Sequence, residues 1–394
     1  MTDTYVRIGL DLIEKNWPEK LKGSRTALLV HPASVNRKLE HAVTLLMKSN
    51  NFKLKALFGP QHGIRGETQD NMVEWEGFHD TNTGLPVFSL YGNSRKPESS
   101  VLRDIDVLIV DMQDIGSRYY TFIWTLELCM QACMEMGKPV VVLDRPNPIG
   151  GHIAEGNVLD GAYASFVGNR PLPIRHGMTI GEIAHYLRNE FYPSLDSHVI
   201  SLRGWKRNMW FDETGLQWVL PSPNMPTIET AMVYPGMCLL EGTTISEGRG
   251  TTRPFEIFGA PFIDPDILIA HLNRYGLPGV AFRPMYFLPT FQKHAGTLCG
   301  GAQIHVINRE KFKPFKTGVA VIKSIHDLYP DQFSWKQPPY EYETDKMPVD
   351  ILAGTDRLRR EIETGEDIDR MEEWWQEECL QFSKKVRKMY LFYK

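Results

Sequence analysis

The sequence predicts an α/β fold: a Rossmann-like, mostly parallel sheet flanked by helices, with a second α+β domain after it. Between residues 25 and 150, short apolar runs rich in β-branched residues alternate with helical segments. Strand–helix–strand units of this kind join parallel strands through right-handed crossovers. After Gly150 the alternation becomes irregular. We therefore expect domains at 1–150 and 151–394, with an active-site cleft between them.

Each element of the first domain is predicted from its own run of residues. Apolar runs that end in polar loops are typical of buried parallel strands, and apolar positions at helical spacing predict helices. The predicted elements are, in chain order, a strand at 26–30, a helix at 39–49, strands at 54–58, 86–90 and 107–110, a helix at 119–136 and a strand at 140–143.

The second domain is predicted to mix helices and strands. Thr179 is followed three residues later by Glu182, a capping box that predicts the start of a helix running to Phe191. The prolines of residues 221–226 predict a rigid loop. The other predicted elements are a helix at 264–275, strands at 304–306 and 318–322, a helix that ends at Leu328, and helical structure over 351–381.

Composition and motifs narrow the function classes. The 394 residues carry a formal net charge of −4 without a basic stripe, so nucleic acid is not an expected partner. The N-terminus lacks signal-peptide features, and no apolar run reaches the roughly 18 residues of a membrane span, so a cytoplasmic protein is expected. Five dispersed cysteines predict free thiols.

Dinucleotide-binding, Walker A, nucleophile-elbow and zinc-protease motifs are absent from the sequence, and we predict no cofactor and no metal.

Charged and amide residues crowd the loops that follow three of the predicted strands. The carboxyl ends of parallel strands share one edge of an open sheet, and ligands bind there. The pair Asp111 and Asp114 leaves several interpretations open: a general acid and base, half of a metal site, or partners of an arginine in a structural clamp. The candidate residues in these loops are Gln61, His62, Arg65, Asp111, Asp114, Arg118, Asp144 and Arg145.

The densest polar segment is residues 241–256. Its three glycines and four threonines disfavour a stable helix. Its glutamates and arginines suit a polyhydroxylated or anionic ligand, because a guanidinium can grip a carboxylate through two parallel hydrogen bonds. A flexible polar surface loop is the alternative. The candidates here are Glu241, Glu247, Arg249 and Arg253.

Together these segments resemble the NamZ-type exo-β-N-acetylmuramidases, a family long catalogued as a bacterial domain of unknown function. The resemblance covers nearly the whole chain and includes FGPQHGIRG (58–66), IDVLIVDMQDIGSRYYTF (105–122), VVVLDRPNPIGG (142–151), PSPNMPT (221–227) and YPGMCLLEGTTISEGRGTTRPFE (234–256). It implies a glycosidase that releases terminal N-acetylmuramic acid from peptidoglycan fragments during cell-wall recycling. The expected partner is a small sugar or muropeptide, with a homodimer as a candidate assembly.

One position departs from the family pattern. The resembling proteins have Gly-Pro-Glu-His-Gly in the first loop, with the Glu as the suspected acid, whereas this chain has Gln61. An amide cannot donate a proton as a general acid. The departure implies that another carboxylate takes the role, or that the protein binds amino sugars or muropeptides without cleaving them or with altered specificity.

The resemblance also implies roles for the candidate residues. A 2-acetamido sugar can use its own amide as the nucleophile, which leaves the protein to supply one acid and one orienting group. We expect Glu247 and Asp114 in these roles, with Gln61 and His62 holding the sugar. An arginine would grip the lactyl carboxylate of muramic acid. The predicted substrate-binding residues are Arg65, Asp111, Arg118, Asp144, Arg145, Asn224, Glu241, Arg249 and Arg253.

Overall fold

A seven-stranded sheet occupies the centre of the first half of the chain in the computed structural model, which describes residues 5–70 and 72–394. Strands are numbered here in chain order. They are β1 (Ser24–Val30), β2 (Phe52–Gly59), β3 (Phe78–His79), β4 (Pro86–Ser89), β5 (Val107–Asp111), β6 (Val140–Leu143), β7 (Glu155–Val158), β8 (Pro173–Arg175), β9 (Ser197–Ile200), β10 (Ile257–Ala260), β11 (Val280–Phe287) and β12 (Cys299–Val306).

The large sheet has the order β3-β4-β2-β1-β5-β6-β9. Neighbours from β4 to β9 pair in parallel, and β3 pairs antiparallel with β4, so the predicted mostly parallel sheet is confirmed. The chain leaves β1 towards β2 on one side and returns to β5 on the other. This reversal creates a switch point, where the loops beyond the carboxyl ends of the strands diverge and leave a crevice.

Alternate residues of the central strands enter two apolar clusters, one on each face of the sheet. Leu28 and Ile109 pack in a cluster with residues of the N-terminal helix. Leu29 and Val110 belong to a larger cluster, which continues into the second half of the chain. Burial on both faces explains why these strands read as continuous apolar runs.

Helices cover the sheet and build most of the second half. Thr179 and Glu182 form the predicted capping box at the start of the fifth helix. Within residues 5–70 and 72–394, no helix is long and apolar enough to cross a membrane. The helices are α1 (Gly9–Asn16), α2 (Ala42–Leu46), α3 (Ser99–Arg103), α4 (Phe122–Glu135), α5 (Ile180–Glu190), α6 (Ile228–Met237), α7 (Pro265–Leu272), α8 (Pro314–Leu328), α9 (Pro348–Ala353), α10 (Arg357–Glu363) and α11 (Ile368–Met389).

The second half contains two small antiparallel sheets, β10-β12-β11 and β7-β8, as well as the helices α6 to α11. This arrangement confirms its predicted α+β character. The parallel sheet itself extends to β9, which ends at Ile200, and thus continues beyond residue 150. The boundary near residue 150 stays a prediction.

The strand predicted at 318–322 is wrong, because these residues lie inside α8. Residues 314–325 are all buried, and the apolar residues 319–322 form an unbroken run whose spacing does not reveal a helix. A Cβ on Gly318 would lie 2.2 Å from the carbonyl oxygen of Gly236 in α6, so the two helices touch through their backbones. Gly318 therefore allows two helices to pack closely and does not mark the start of a strand.

Candidate active site

A narrow polar cavity lies where loops from both halves of the chain meet. Its walls come from the loop after β2, the start of α4, the proline-rich loop, the segment after α6, and the Tyr340–Glu341 pair. The cavity volume is about 40 Å³, which is room for a few water molecules. Five of the predicted site residues line it: Gln61, His62, Asn224, Glu241 and Arg249.

Gln61 stands two residues after the end of β2, with its side chain buried in the cavity wall. Its Oε1 accepts a hydrogen bond of 2.7 Å from Thr121 Oγ1, at the start of α4. Its Nε2 donates to Glu341 Oε1 over 3.4 Å. The Gln61 amide therefore bridges Thr121 and Glu341.

Glu341 is the acidic residue that sequence reasoning missed. Its side chain lines the cavity and is 4% exposed, and its Oε2 accepts a 3.0 Å hydrogen bond from Tyr91 Oη. Burial, and then the negative charge of Glu241, raise the pKa of Glu341 to about 7. Its φ of 44° and that of Tyr342, 70°, are left-handed, a conformation that clusters at functional sites. The sequence around it, Pro-Pro-Tyr-Glu, matches none of the motifs that direct attention to a site.

Glu241 and Glu247 share one guanidinium. Arg249 Nη2 donates to Glu241 Oε1 at 2.6 Å, and its Nε donates to Glu247 Oε1 at 3.1 Å. Tyr340 Oη also donates to Glu241, at 2.7 Å, while Lys293 Nζ lies 2.9 Å from Glu247. Burial acts to raise the pKa of Glu247, but Lys293 and Arg249 outweigh it and lower the pKa below its ordinary value. Glu247 is held in this ion-pair network and is not among the residues lining the cavity.

His62 and Asn224 border the cavity and also hold the loop after β2. His62 Nδ1 lies 2.7 Å from the carbonyl oxygen of Thr68, so this nitrogen carries the hydrogen in the neutral ring. Burial lowers the pKa of His62 to about 4, which makes the neutral form dominant at pH 7. Asn224 Nδ2 donates to the carbonyl oxygen of Gln69 at 2.6 Å.

The site residues predicted at the ends of β5 and β6 are engaged by other groups of the protein. Arg145 donates from Nε and Nη2 to the two carboxylate oxygens of Asp111, at 2.5 and 2.8 Å. Asp114 accepts from the Gly116 backbone N–H at 2.7 Å and lies 3.2 Å from His176 Nε2. None of these side chains is among the cavity-lining residues.

Asp144 and Arg118 also lie away from the cavity and bind the protein's own backbone. Asp144 accepts from the Gly181 N–H at 2.8 Å, at the first turn of α5, and burial raises its pKa to about 7. Arg118 is fully buried and donates to four carbonyl oxygens, those of residues 157, 172, 352 and 353.

Arg65 and Arg253 are exposed, and each lies near an acidic neighbour: Arg65 Nη2 is 3.7 Å from Asp80, and Arg253 Nη1 is 3.3 Å from Glu256. The ligand-binding roles predicted for Arg65, Arg118 and Arg253 therefore stay predictions, with no contact to the cavity in their favour. The same holds for the residues after β5 and β6.

No group of three or more His, Cys, Asp or Glu side chains stands at metal-binding distances within the described parts of the chain. Asp111 and Asp114, the pair for which half of a metal site was one interpretation, are engaged by Arg145 and by Gly116 instead.

Fold and site together define an α/β protein in which the buried carboxylates Glu241 and Glu341, with Arg249 and the amides of Gln61 and Asn224, face a cavity beyond the carboxyl ends of parallel strands. Comparison with known families then places it: the chain belongs to the exo-β-N-acetylmuramidase NamZ family. The model of the N-terminal part of that family matches residues 26–229, and the model of the C-terminal part matches residues 232–393. The predicted family resemblance is confirmed.

Relatives of known sequence or structure cover almost the whole chain. The peptidoglycan β-N-acetylmuramidase NamZ of Bacillus subtilis (strain 168) is 47% identical over 388 residues, which is 98% of this chain and 91% of the relative. Two crystal structures of DUF1343 family proteins from Bacteroides fragilis share the fold. One has a TM-score of 0.88 at 35% identity and covers 99% of this chain and 100% of its own; the other has a TM-score of 0.76 at 30% identity, covering 99% of both chains.

Proposed function

We propose that this protein is a glycoside hydrolase that removes terminal β-linked N-acetylmuramic acid from peptidoglycan fragments. The observation that carries the proposal is the cavity itself, in which Glu241 and Glu341 stand with Arg249 beyond the carboxyl ends of the sheet. The relationship to a Bacillus subtilis peptidoglycan β-N-acetylmuramidase supports the same substrate class.

The cavity supplies the groups that this reaction needs. Breaking a glycosidic bond requires a proton for the leaving oxygen and a negative or dipolar group for the charge that develops at the anomeric carbon. Glu241 lines the cavity and is ion-paired with Arg249. It would orient the 2-acetamido group or stabilise the oxocarbenium-like transition state.

The lactyl group distinguishes muramic acid from glucosamine and adds a carboxylate to the ligand. Arg249 is the arginine that lines the cavity, and Glu241 and Glu247 already occupy two of its nitrogens. The remaining nitrogen, Nη1, would bind the lactyl carboxylate, and Gln61, His62 and Asn224 would bind hydroxyl and amide groups of the sugar. Catalytic roles for Glu247 and Asp114 stay predictions, since neither side chain lines the cavity.

The proposal is tested with a matched pair of chromogenic substrates, the β-N-acetylmuramide and the β-N-acetylglucosaminide. The purified protein should release chromophore from the muramide, and free N-acetylmuramic acid from a peptidoglycan disaccharide that carries it at the non-reducing end. Arg249→Met should lose more activity on the muramide than on the glucosaminide, because only the muramide carries the lactyl carboxylate. Absence of release from every muramide would overturn the proposal.

Gln61 favours a second candidate, a muropeptide- or amino-sugar-binding protein without turnover. Calorimetry that shows tight binding of N-acetylmuramic acid, together with intact substrate after prolonged incubation, would support this function over the first. A cytoplasmic location, a role in cell-wall recycling and a homodimer stay predictions, for which cell fractionation, muropeptide analysis of a deletion strain and light scattering are the measurements.

A further inference from the structure

We infer that Glu341 is the general acid of this site, and that Gln61 is a positioning residue that holds it. The inference rests on the proposed glycosidase function and deepens it. It assigns the proton donor to a residue 280 positions away in the sequence from the loop in which the family resemblance would place it.

The carboxylates near the cavity differ in their environments. Glu241 is ion-paired with Arg249, and Glu247 is ion-paired with both Arg249 and Lys293. These cations stabilise the ionised forms, which cannot donate a proton. The hydrogen bonds to Glu341 come instead from two neutral groups, the phenol of Tyr91 and the amide of Gln61.

Glu241 and Glu341 form a pair of contrasting carboxyl groups in the cavity wall. Adjacent residues of one loop take part in both environments. Tyr340 donates a hydrogen bond to Glu241, while Glu341 accepts hydrogen bonds from Tyr91 and Gln61. Burial and the charge of Glu241 raise the pKa of Glu341 to about 7, so it holds a proton near neutral pH. A carboxylate held in an ion pair, beside a carboxyl group whose pKa is raised by burial, is the pattern of a charged partner and an acid.

The amide at position 61 suits an acid at position 341. A glutamate there would place a second carboxylate about 3.4 Å from Glu341, and the two would share one proton. An amide removes that competition and donates to Glu341 Oε1, while Thr121 keeps the amide oriented. The acid therefore lies in the loop before α9, on the other side of the cavity from the loop after β2.

The proton balance of the proposed step is simple. The Glu341 carboxyl donates its proton to the glycosidic oxygen while the bond from that oxygen to C1 breaks, and the bonding electron pair leaves with the oxygen as an alcohol. The substrate's own acetamido oxygen bonds to C1 from the opposite face, and the oxygen of a water molecule then bonds to C1 while the bond from the acetamido oxygen breaks. A proton of that water returns to Glu341, so one water is consumed and the acid is regenerated.

The experiment compares wild type with Glu341→Gln, Gln61→Glu and the exchange variant Gln61→Glu/Glu341→Gln on two muramides. One muramide has a nitrophenolate leaving group, and the other has a sugar leaving group. Removing a general acid costs about 10²–10⁴-fold in rate. We expect that loss in Glu341→Gln on the sugar substrate, and a much smaller one on the nitrophenyl substrate, whose leaving group needs little protonation. The exchange variant should regain part of the activity.

The pH profile of kcat/KM supplies a readout that a purely structural role would not move. Wild type should lose activity through an alkaline limb near pH 7, and Glu341→Gln should lack that limb. Tyr91→Phe removes a hydrogen bond that stabilises the ionised carboxyl, so it should move the limb to higher pH. Tyr91→Phe decides the question if Glu341→Gln does not fold.

Failure of the inference differs from failure of the proposed function. Wild type that cleaves no muramide overturns the function. Wild type that cleaves both muramides, together with a folded Glu341→Gln that keeps the alkaline limb and loses equal activity on both leaving groups, overturns the assignment of Glu341. An unmoved limb in Tyr91→Phe, when Glu341→Gln does not fold, overturns it as well.

Discussion

The contact between Asp111 and Arg145 can be tested as a structural clamp or as a ligand site. Asp111 ends β5, Arg145 follows β6, and their two hydrogen bonds of 2.5 and 2.8 Å are almost fully buried. Arg145 Nη2 also donates to the Val35 carbonyl oxygen at 3.1 Å, which joins the loop after β1 to the same contact. Asp111→Asn keeps the shape of the side chain and leaves Arg145 as a buried charge without its counter-ion.

Breaking one side of a buried ion pair costs about 3–5 kcal/mol, because the remaining charge stays desolvated. Globular proteins unfold with an entropy near 2.1 cal/mol/K per residue, or about 0.8 kcal/mol/K for 394 residues. The loss should therefore lower the midpoint of thermal unfolding by about 4–6 °C. The apolar double variant Asp111→Leu/Arg145→Met should recover most of it, since no buried charge remains.

Scanning calorimetry gives the unfolding midpoint, and titration calorimetry with N-acetylmuramic acid gives the affinity of the folded variants. A clamp predicts a large change in the midpoint, a strong coupling in the double-mutant cycle, and an affinity close to that of wild type. A ligand site predicts a small change in the midpoint, a weak coupling and a much lower affinity. If Asp111→Asn leaves the midpoint unchanged and weakens sugar binding sharply, the structural interpretation is wrong.

Three further predictions concern helix packing, capping and pH. Gly318→Ala should destabilise the protein severely in chemical denaturation, because its Cβ would lie 2.2 Å from the Gly236 carbonyl oxygen. Gly161→Ala is the control: its Cβ has open space around it, so the free energy of unfolding should change by less than about 0.5 kcal/mol. Thr179→Ala removes the side-chain half of the capping box and should cost about 1 kcal/mol, with Thr179→Ser as the control that keeps the hydroxyl and should restore most of it. His62 has a pKa of about 4 in the fold against 6.5 in a free chain, so the unfolded state binds its proton first and stability should fall as the pH drops from about 6.5 to 4. His62→Gln should lose less stability than wild type over that window, and equal pH profiles would contradict the assignment.

Local patterns in the sequence predicted much of the fold. The apolar runs of β1, β2, β5 and β6 carry their own signal, because strands buried on both faces need an unbroken series of apolar side chains. The capping box at Thr179 is equally local, since its partners are three residues apart. The predicted strand at 318–322 is wrong because the short apolar run in the buried part of α8 looks the same as that of a buried strand.

The candidate site could be predicted only in part, for a related reason. A charged residue in a polar loop is a candidate for binding, but its position in the sequence does not show whether it binds an oppositely charged side chain, the backbone or a ligand. Asp111 binds Arg145 and Arg118 binds backbone carbonyls, whereas Arg249 faces the cavity, although all of them lie in similarly polar stretches of the sequence.

By itself, the sequence determined the parallel sheet, the family of the chain and the loops after β2 and after α6 that line the cavity. The tertiary structure alone decided which carboxylate meets which cation, and it brought Glu341 to Gln61 across 280 positions of the chain. The physical reason is distance: hydrophobic spacing and capping act within a few residues, whereas the charge and protonation of a buried acid depend on neighbours that only the folded chain brings together.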